Sequence, residues 1–284
     1  MKKIFVGCSS SDEIPDEHKK DCEAFLEKLF GNGDSLIFGA CKYGLMGLAY
    51  RTALKNKCAI KGVCPEIWKD DLIGLQCTET DTTQNLQERI EKMIVPSDVA
   101  VYLPGGIGTI YELLTTIKMK KEGFLSIPIV IYNSCGFFDV FLQFLHQVCP
   151  EVESLFSIVT APEDALKYIS ETSTVCTPQL NQHNIQEDEN PNGALMFSEG
   201  NFDMIWKLFE VIERKRAGEI TNDIVIDNQN GFYDRLIELL DKLIKEKFAS
   251  EKDAEKYTIL DGNGVPVTTT NITRKLAPSC KSEN

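Results

Sequence analysis

Over the first 150 residues, short apolar runs alternate with longer stretches of helical periodicity. Ile4-Phe5-Val6-Gly7, Ser35-Leu36-Ile37-Phe38-Gly39, Cys58-Ala59-Ile60-Lys61-Gly62-Val63-Cys64, Val99-Ala100-Val101-Tyr102-Leu103 and residues 127–132 read as buried strands. Residues 18–29, 45–54, 86–95, 109–121 and 136–148 read as helices between them. Strands apolar on both faces that alternate with helices predict an α/β fold. The expected form is a Rossmann-like parallel sheet with helices on both faces. Such a sheet places ligand sites at the carboxyl ends of its strands, and the Gly-rich segments fall there.

Beyond residue 172 the pattern breaks. Residues 173–192 carry Gln, Asn, Asp, Glu and Pro without apolar periodicity and read as a linker between a first domain, 1–172, and a second unit, 193–262. A polar tail, 263–284, closes the chain. The second unit reads as an α/β partial repeat of the back half of the first. With Gly105 set against Gly200, Leu113 meets Leu208, Ile117 meets Ile212, Gly123 meets Gly218, Ile129-Val130-Ile131 meets Ile224-Val225-Ile226 and Asn133 meets Asn228. Gly136-Phe137 likewise meets Gly231-Phe232, and Asp139 meets Asp234. Further along, Asp164-Ala165 with Lys167-Tyr168 resembles Asp253-Ala254 with Lys256-Tyr257.

Charge and cysteine usage narrow the class. Thirty Lys and Arg against 43 Asp and Glu leave a net charge of −13, which argues against nucleic-acid binding and against docking on anionic membrane. Ten cysteines include no Cys-x-x-Cys pair, and three histidines do not supply a zinc set, so no metal is expected. The thiols read as reduced, structural residues of a cytoplasmic protein. The apolar start is too short for a signal peptide, and no run reaches a membrane span.

The sharpest chemical signal is Pro104-Gly105-Gly106-Ile107-Gly108-Thr109-Ile110-Tyr111-Glu112. A strand ends, glycines bare the backbone, and a helix begins. Free N–H groups with the positive end of a helix dipole behind them make an anion site. Thr109 caps the helix or donates to a phosphate oxygen. Glu112 is either a carboxylate favoured by the dipole or a catalytic one. A second Gly-rich turn, Gly44-Leu45-Met46-Gly47, follows the second strand, and the two turns together enclose a crevice.

These two motifs resemble the Lonely Guy family over about residues 1–170. Its members are phosphoribohydrolases that release a base from a nucleoside 5′-monophosphate, typically an N6-modified adenine, a cytokinin. The resemblance implies hydrolysis of AMP or N6-substituted AMP to free base and ribose 5-phosphate without a cofactor. It implies Arg89 and Glu112 as the catalytic pair. Gly105, Gly106, Ile107, Gly108 and Thr109, with Gly44, Met46 and Gly47, would bind substrate. The family's Met-His-x-Arg-Lys reads Leu86-Gln87-Glu88-Arg89-Ile90 here, so only the arginine remains. That departure keeps an alternative open: a non-catalytic nucleotide-binding or cofactor-carrier protein of the same superfamily. A decarboxylase using pyridoxal phosphate finds no marked Schiff-base lysine. In the second unit Glu199, Asn201, Asp203, Met204 and Lys207 stand where the first has Pro104, Gly106, Gly108, Thr109 and Glu112, so that copy is expected to be inactive. Family members are homodimers. This chain is expected to be a homodimer or an intrachain pseudo-dimer, the latter joined through Phe202, Ile205, Leu208, Phe209 and Ile212 at helical spacing.

Overall fold

The computed structural model describes residues 1–171 and 193–267. The expected linker and most of the expected tail lie outside the described residues. In the first unit, seven parallel strands run in the order β4-β3-β2-β1-β5-β6-β7. These are β1 (Lys3–Gly7), β2 (Ser35–Phe38), β3 (Ile60–Pro65), β4 (Glu79–Thr83), β5 (Val99–Tyr102), β6 (Ile129–Tyr132) and β7 (Ser157–Val159). The helices between them are α1 (Asp16–Phe30), α2 (Gly44–Lys55), α3 (Leu86–Ile94), α4 (Ile107–Lys121), α5 (Asp139–Val148) and α6 (Pro162–Glu171). β1, β2, β5 and β6 are buried along nearly their whole length, as their apolar runs require. The sheet grows outward from β1 in both directions, toward β2 and toward β5. Such a reversal opens a crevice at the carboxyl ends of the two strands.

The second unit has a four-stranded sheet, β11-β10-β9-β8. Its elements are β8 (Leu195–Phe197), α7 (Phe202–Arg216), β9 (Ile224–Asp227), α8 (Asp234–Lys245), α9 (Glu251–Ala254), β10 (Thr258–Leu260) and β11 (Pro266–Val267). β11 pairs antiparallel with β10, so ordered structure continues past residue 262.

Two turns with matched residues have the same construction. Asn133 Nδ2 donates to Asp139 at 2.7 Å, and its Oδ1 accepts from Phe138 N at 2.8 Å. Asn228 makes the same two bonds to Asp234 and Tyr233, each 2.8 Å. Cys135 and Asn230 both take left-handed φ, 52° and 53°. The match of Asp164–Tyr168 with Asp253–Tyr257 has no counterpart in the topology. The former segment lies in α6, after β7, whereas the latter precedes β10.

The two units share a core. α4 packs on α7 and α5 on α8, and Phe202, Ile205, Leu208, Phe209 and Ile212 are all buried. Burying each such side chain is worth about 1.5–3 kcal/mol. His18 of the first unit stands edge-on to Phe248 of the second, with ring centroids 5.4 Å apart, and Lys242 donates to the carbonyl of Phe137 at 3.1 Å. Contacts across the α4–α7 seam are reciprocal under the 95-residue offset. Glu213 faces Gly108, and Asp203, the counterpart of Gly108, accepts from Lys118, the counterpart of Glu213, at 2.7 Å. Among the described residues no helix is long and apolar enough to cross a membrane.

Candidate active site

The loops after β1, β2 and β5 are stitched to one another. Ser9 N donates to the Pro104 carbonyl at 3.0 Å, and Met46 N donates to the Ser9 carbonyl at 3.0 Å. Gly44 N donates to Asp12 at 2.7 Å. Between these loops lies a cavity of about 290 Å³, at the lower end of small-molecule sites.

Arg89 and Glu112 meet in it. Arg89 projects from α3 and spans the strand ends. Its Nε donates to the Val63 carbonyl at 3.3 Å and its Nη2 to the Gly39 carbonyl at 3.1 Å. Its Nη1 donates to Glu112 Oε1 at 3.3 Å. Glu112 sits in the second turn of α4 and is 6% exposed. Burial pushes its carboxyl up to about 7; Arg89 opposes that shift and Glu213 adds to it. An acid that titrates near neutrality beside a permanent guanidinium is suited to proton transfer or to meeting developing positive charge.

Two glycines at strand ends make room for this pair. A Cβ on Gly39 would lie 2.1 Å from Arg89 Nη2. A Cβ on Gly7 would lie 2.7 Å from the Tyr102 ring and 3.2 Å from Glu112 Oε2. Gly39→Ala therefore pushes a flexible side-chain tip rather than backbone. We expect the melting temperature to stay within about 3 °C of wild type, since roughly 1 kcal/mol moves a chain of this size by 2–4 °C. Turnover should fall by about tenfold or more as the guanidinium leaves Glu112. Parallel thermal unfolding and activity assays would separate the two effects.

The predicted binding residues divide into two groups. Gly106, Ile107, Gly108, Thr109 and Met46 line the cavity. Gly105 does not: it lies against Thr109, whose Oγ1 would be 2.1 Å from a Cβ there. Gly44 and Gly47 also lie off the cavity. Gly44, at φ 59°, sits under the backbone of Ser9, Ser10 and Ser11, and Gly47 sits against the Lys42 carbonyl. These three glycines shape the loops that form the walls. Several lining residues escaped the sequence reading. Trp68 and Asp71 come from the turn after β3, and Glu213, Arg216 and Phe248 come from the second unit. The Gly-Gly loop advertised the first wall, but nothing local marked the second.

Residues 46–169 match the model of the family described as "possible lysine decarboxylase". Over 117 residues the chain is 32% identical to the probable cytokinin riboside 5′-monophosphate phosphoribohydrolase LOGL1 of Oryza sativa subsp. japonica. That stretch is 41% of this chain and 52% of the relative, so the chain spans about half of its length. Over residues 46–169 the chain is thus similar to the Lonely Guy family. The phosphoribohydrolase LOG1 of Arabidopsis thaliana is 27% identical over 152 residues, 53% of this chain and 71% of the relative. Among solved structures, the molybdenum cofactor carrier protein of Chlamydomonas reinhardtii superposes with a TM-score of 0.47 at 17% identity, over 60% of this chain and 99% of that one.

The Lonely Guy motif positions that this chain has altered fall away from the cavity. Ile90, where the family has lysine, is 2% exposed within the hydrophobic core. Gln87, where the family has histidine, donates to Glu91 at 2.8 Å on its own helix. Neither lines the cavity, whereas Arg89 does.

Proposed function

We propose that this protein hydrolyses the N-glycosidic bond of a nucleoside 5′-monophosphate, AMP or N6-substituted AMP, to free base and ribose 5-phosphate. The observation that carries this reading is the meeting of Arg89 and Glu112 in the cavity bounded by Gly106, Ile107, Gly108 and Thr109. The phosphate rests on the bare backbone at the start of α4, where N–H groups and the helix dipole favour an anion. The ribose then lies toward Glu112. As the bond between C1′ and the base nitrogen breaks, its electron pair leaves with the base and positive charge grows on the sugar. Ionised Glu112 faces that charge. Water supplies oxygen to C1′, and its released proton ends on the base. Arg89, already aligned by two carbonyls, keeps Glu112 oriented and its charged form favoured.

The second unit takes, in this reading, the place a second copy of the first would fill. The reciprocal contacts across the α4–α7 seam support it, because an isologous interface pairs positions in that way. Its own loop offers no cradle. Asn201 caps α7 by accepting from Asp203 N and Met204 N, and Asp203 projects a carboxylate where the first loop has bare glycine.

Incubation with AMP and with isopentenyl-AMP should liberate free base, read by chromatography. Arg89→Ala should lower the rate by about 100-fold or more, as expected for loss of a charge-assisted partner at the reacting centre. Saturable AMP binding without base release would select the non-catalytic nucleotide-binding reading instead.

A further inference from the structure

The far wall of the cavity belongs to the second unit, and it carries a guanidinium. Glu213 and Arg216 stand one turn apart on α7 and both line the cavity. Glu213 lies over the first unit's loop, where a Cβ on Gly108 would come within 3.0 Å of its Oε1. Arg216 Nη1 donates to Glu213, and Arg216 Nε donates to Asp253 Oδ1 at 2.6 Å. The other oxygen of Asp253 is held by Ser250, through N at 2.7 Å and Oγ at 2.9 Å. These bonds fix the guanidinium at the cavity edge while its side chain stays 31% exposed.

The distribution of charge shows what this group can do. Arg89 spends its Nε, Nη1 and Nη2 on Val63, Glu112 and Gly39. Arg216 Nη2 carries no hydrogen bond among the described residues. Asp71, Glu112 and Glu213 also face the cavity, so a dianionic ligand entering it needs a cation with donors to spare. A guanidinium pairs with phosphate through two parallel N–H bonds. Glu213 meanwhile places a carboxylate at the loop where an anion is favoured, as a stand-in that keeps Arg216 aimed at that place.

We propose that Arg216, a residue of the second unit, binds the phosphate monoester of the ligand held in the first unit's cavity, and that Glu213 holds Arg216 in position until the ligand arrives. The inference rests on the reading that the ligand is a nucleoside 5′-monophosphate with its phosphate at residues 106–109. It makes the cavity a composite of both units. The counterparts of Glu213 and Arg216 in the first unit are Lys118 and Lys121, and both pair with Asp203 over the second unit's loop. The mirrored position is therefore filled, and each chain should carry one site.

Calorimetric titration of the full chain with AMP, ribose 5-phosphate and adenosine tests this. Arg216→Ala should weaken AMP and ribose 5-phosphate by about 10- to 100-fold, with adenosine unchanged within twofold. Arg216→Lys, which keeps the stem and one charge, should recover part of the loss. It also serves as the readout if the alanine variant does not fold. Equal binding of AMP and ribose 5-phosphate by wild type and both variants would overturn the inference. A loss shared equally by AMP and adenosine would overturn it too, because that marks a structural role. Wild-type protein that binds AMP without releasing base would end the hydrolase reading but leave the Arg216 comparison intact. Wild-type protein that binds neither phosphorylated ligand would end both.

Discussion

Glu112→Gln should lower base release by about 10²- to 10⁴-fold and, at the same time, flatten the pH dependence of stability. The folded carboxyl titrates at about 7 because it is buried, whereas an exposed glutamate titrates near 4.3. Between those values the folded chain keeps a proton that the unfolded chain has lost. The free energy of unfolding therefore declines as pH rises through roughly 4.5 to 7, and the stabilisation is fully present only below that window. The span corresponds to roughly 3–4 kcal/mol at 1.36 kcal/mol per pH unit. Glutamine removes this slope, although it also deprives Arg89 of its carboxylate partner. Urea unfolding of both proteins at pH 5 and pH 8 reads the difference. If the two show the same slope, Glu112 is not the group that titrates. Wild-type turnover should rise through about pH 7 and then level, since the ionised form faces the sugar.

Gly106→Ala should damage the whole molecule rather than the site alone. A Cβ there would lie 2.3 Å from the Phe248 carbonyl oxygen, which is backbone and cannot rotate away. Phe248 is in turn seated against Phe137, with ring centroids 4.4 Å apart, and against His18. The substitution thus pushes the second unit off the loop it covers. Overpacking of this kind costs about 1–3 kcal/mol, or several degrees in melting temperature, and base release should fall with it. Gly108→Ala is the internal control. Its Cβ would meet Glu213 Oε1 at 3.0 Å, the end of a side chain that can yield. Thermal unfolding should rank Gly106→Ala well below Gly108→Ala; the reverse order would mean that Phe248 does not sit on the loop.

The central strands were legible because both of their faces are buried and their sequences are apolar throughout. The edge of the sheet was not. β4 reads Glu79-Thr80-Asp81-Thr82-Thr83 and is largely exposed, so no hydrophobic signal marks it, and the cradle follows the fifth strand rather than the fourth. The glycine loop was legible for a different reason: a run of residues without side chains between an apolar strand and a helix has few uses. Gly7 and Gly39 end their apolar runs, yet neither has a left-handed φ. Their role is to leave volume for Tyr102, Glu112 and Arg89, a requirement set by residues distant in sequence. Glu213 and Arg216 sit in a charged stretch of α7 that reads as a solvated face, and only the docking of α7 on α4 turns that face toward the cavity. For the same reason α4 carries no clean polar side. Ile110, Tyr111, Leu113, Leu114 and Ile117 are all buried, since the helix is covered by the sheet on one flank and by α7 on the other.

That sandwiched helix gives protein synthesis a direction and a delay. The last residue of α4 is 121 and the first of α7 is 202, so a ribosome adding 5–20 residues per second completes the one roughly 4–16 s before it begins the other. Throughout that interval the nascent chain carries a greasy flank with nothing of its own to lay over it. A neighbouring chain on the same message presents an identical flank at the same stage. Translation speed across residues 122–201 thereby sets how long two growing polypeptides can seize one another before each meets its own C-terminal half.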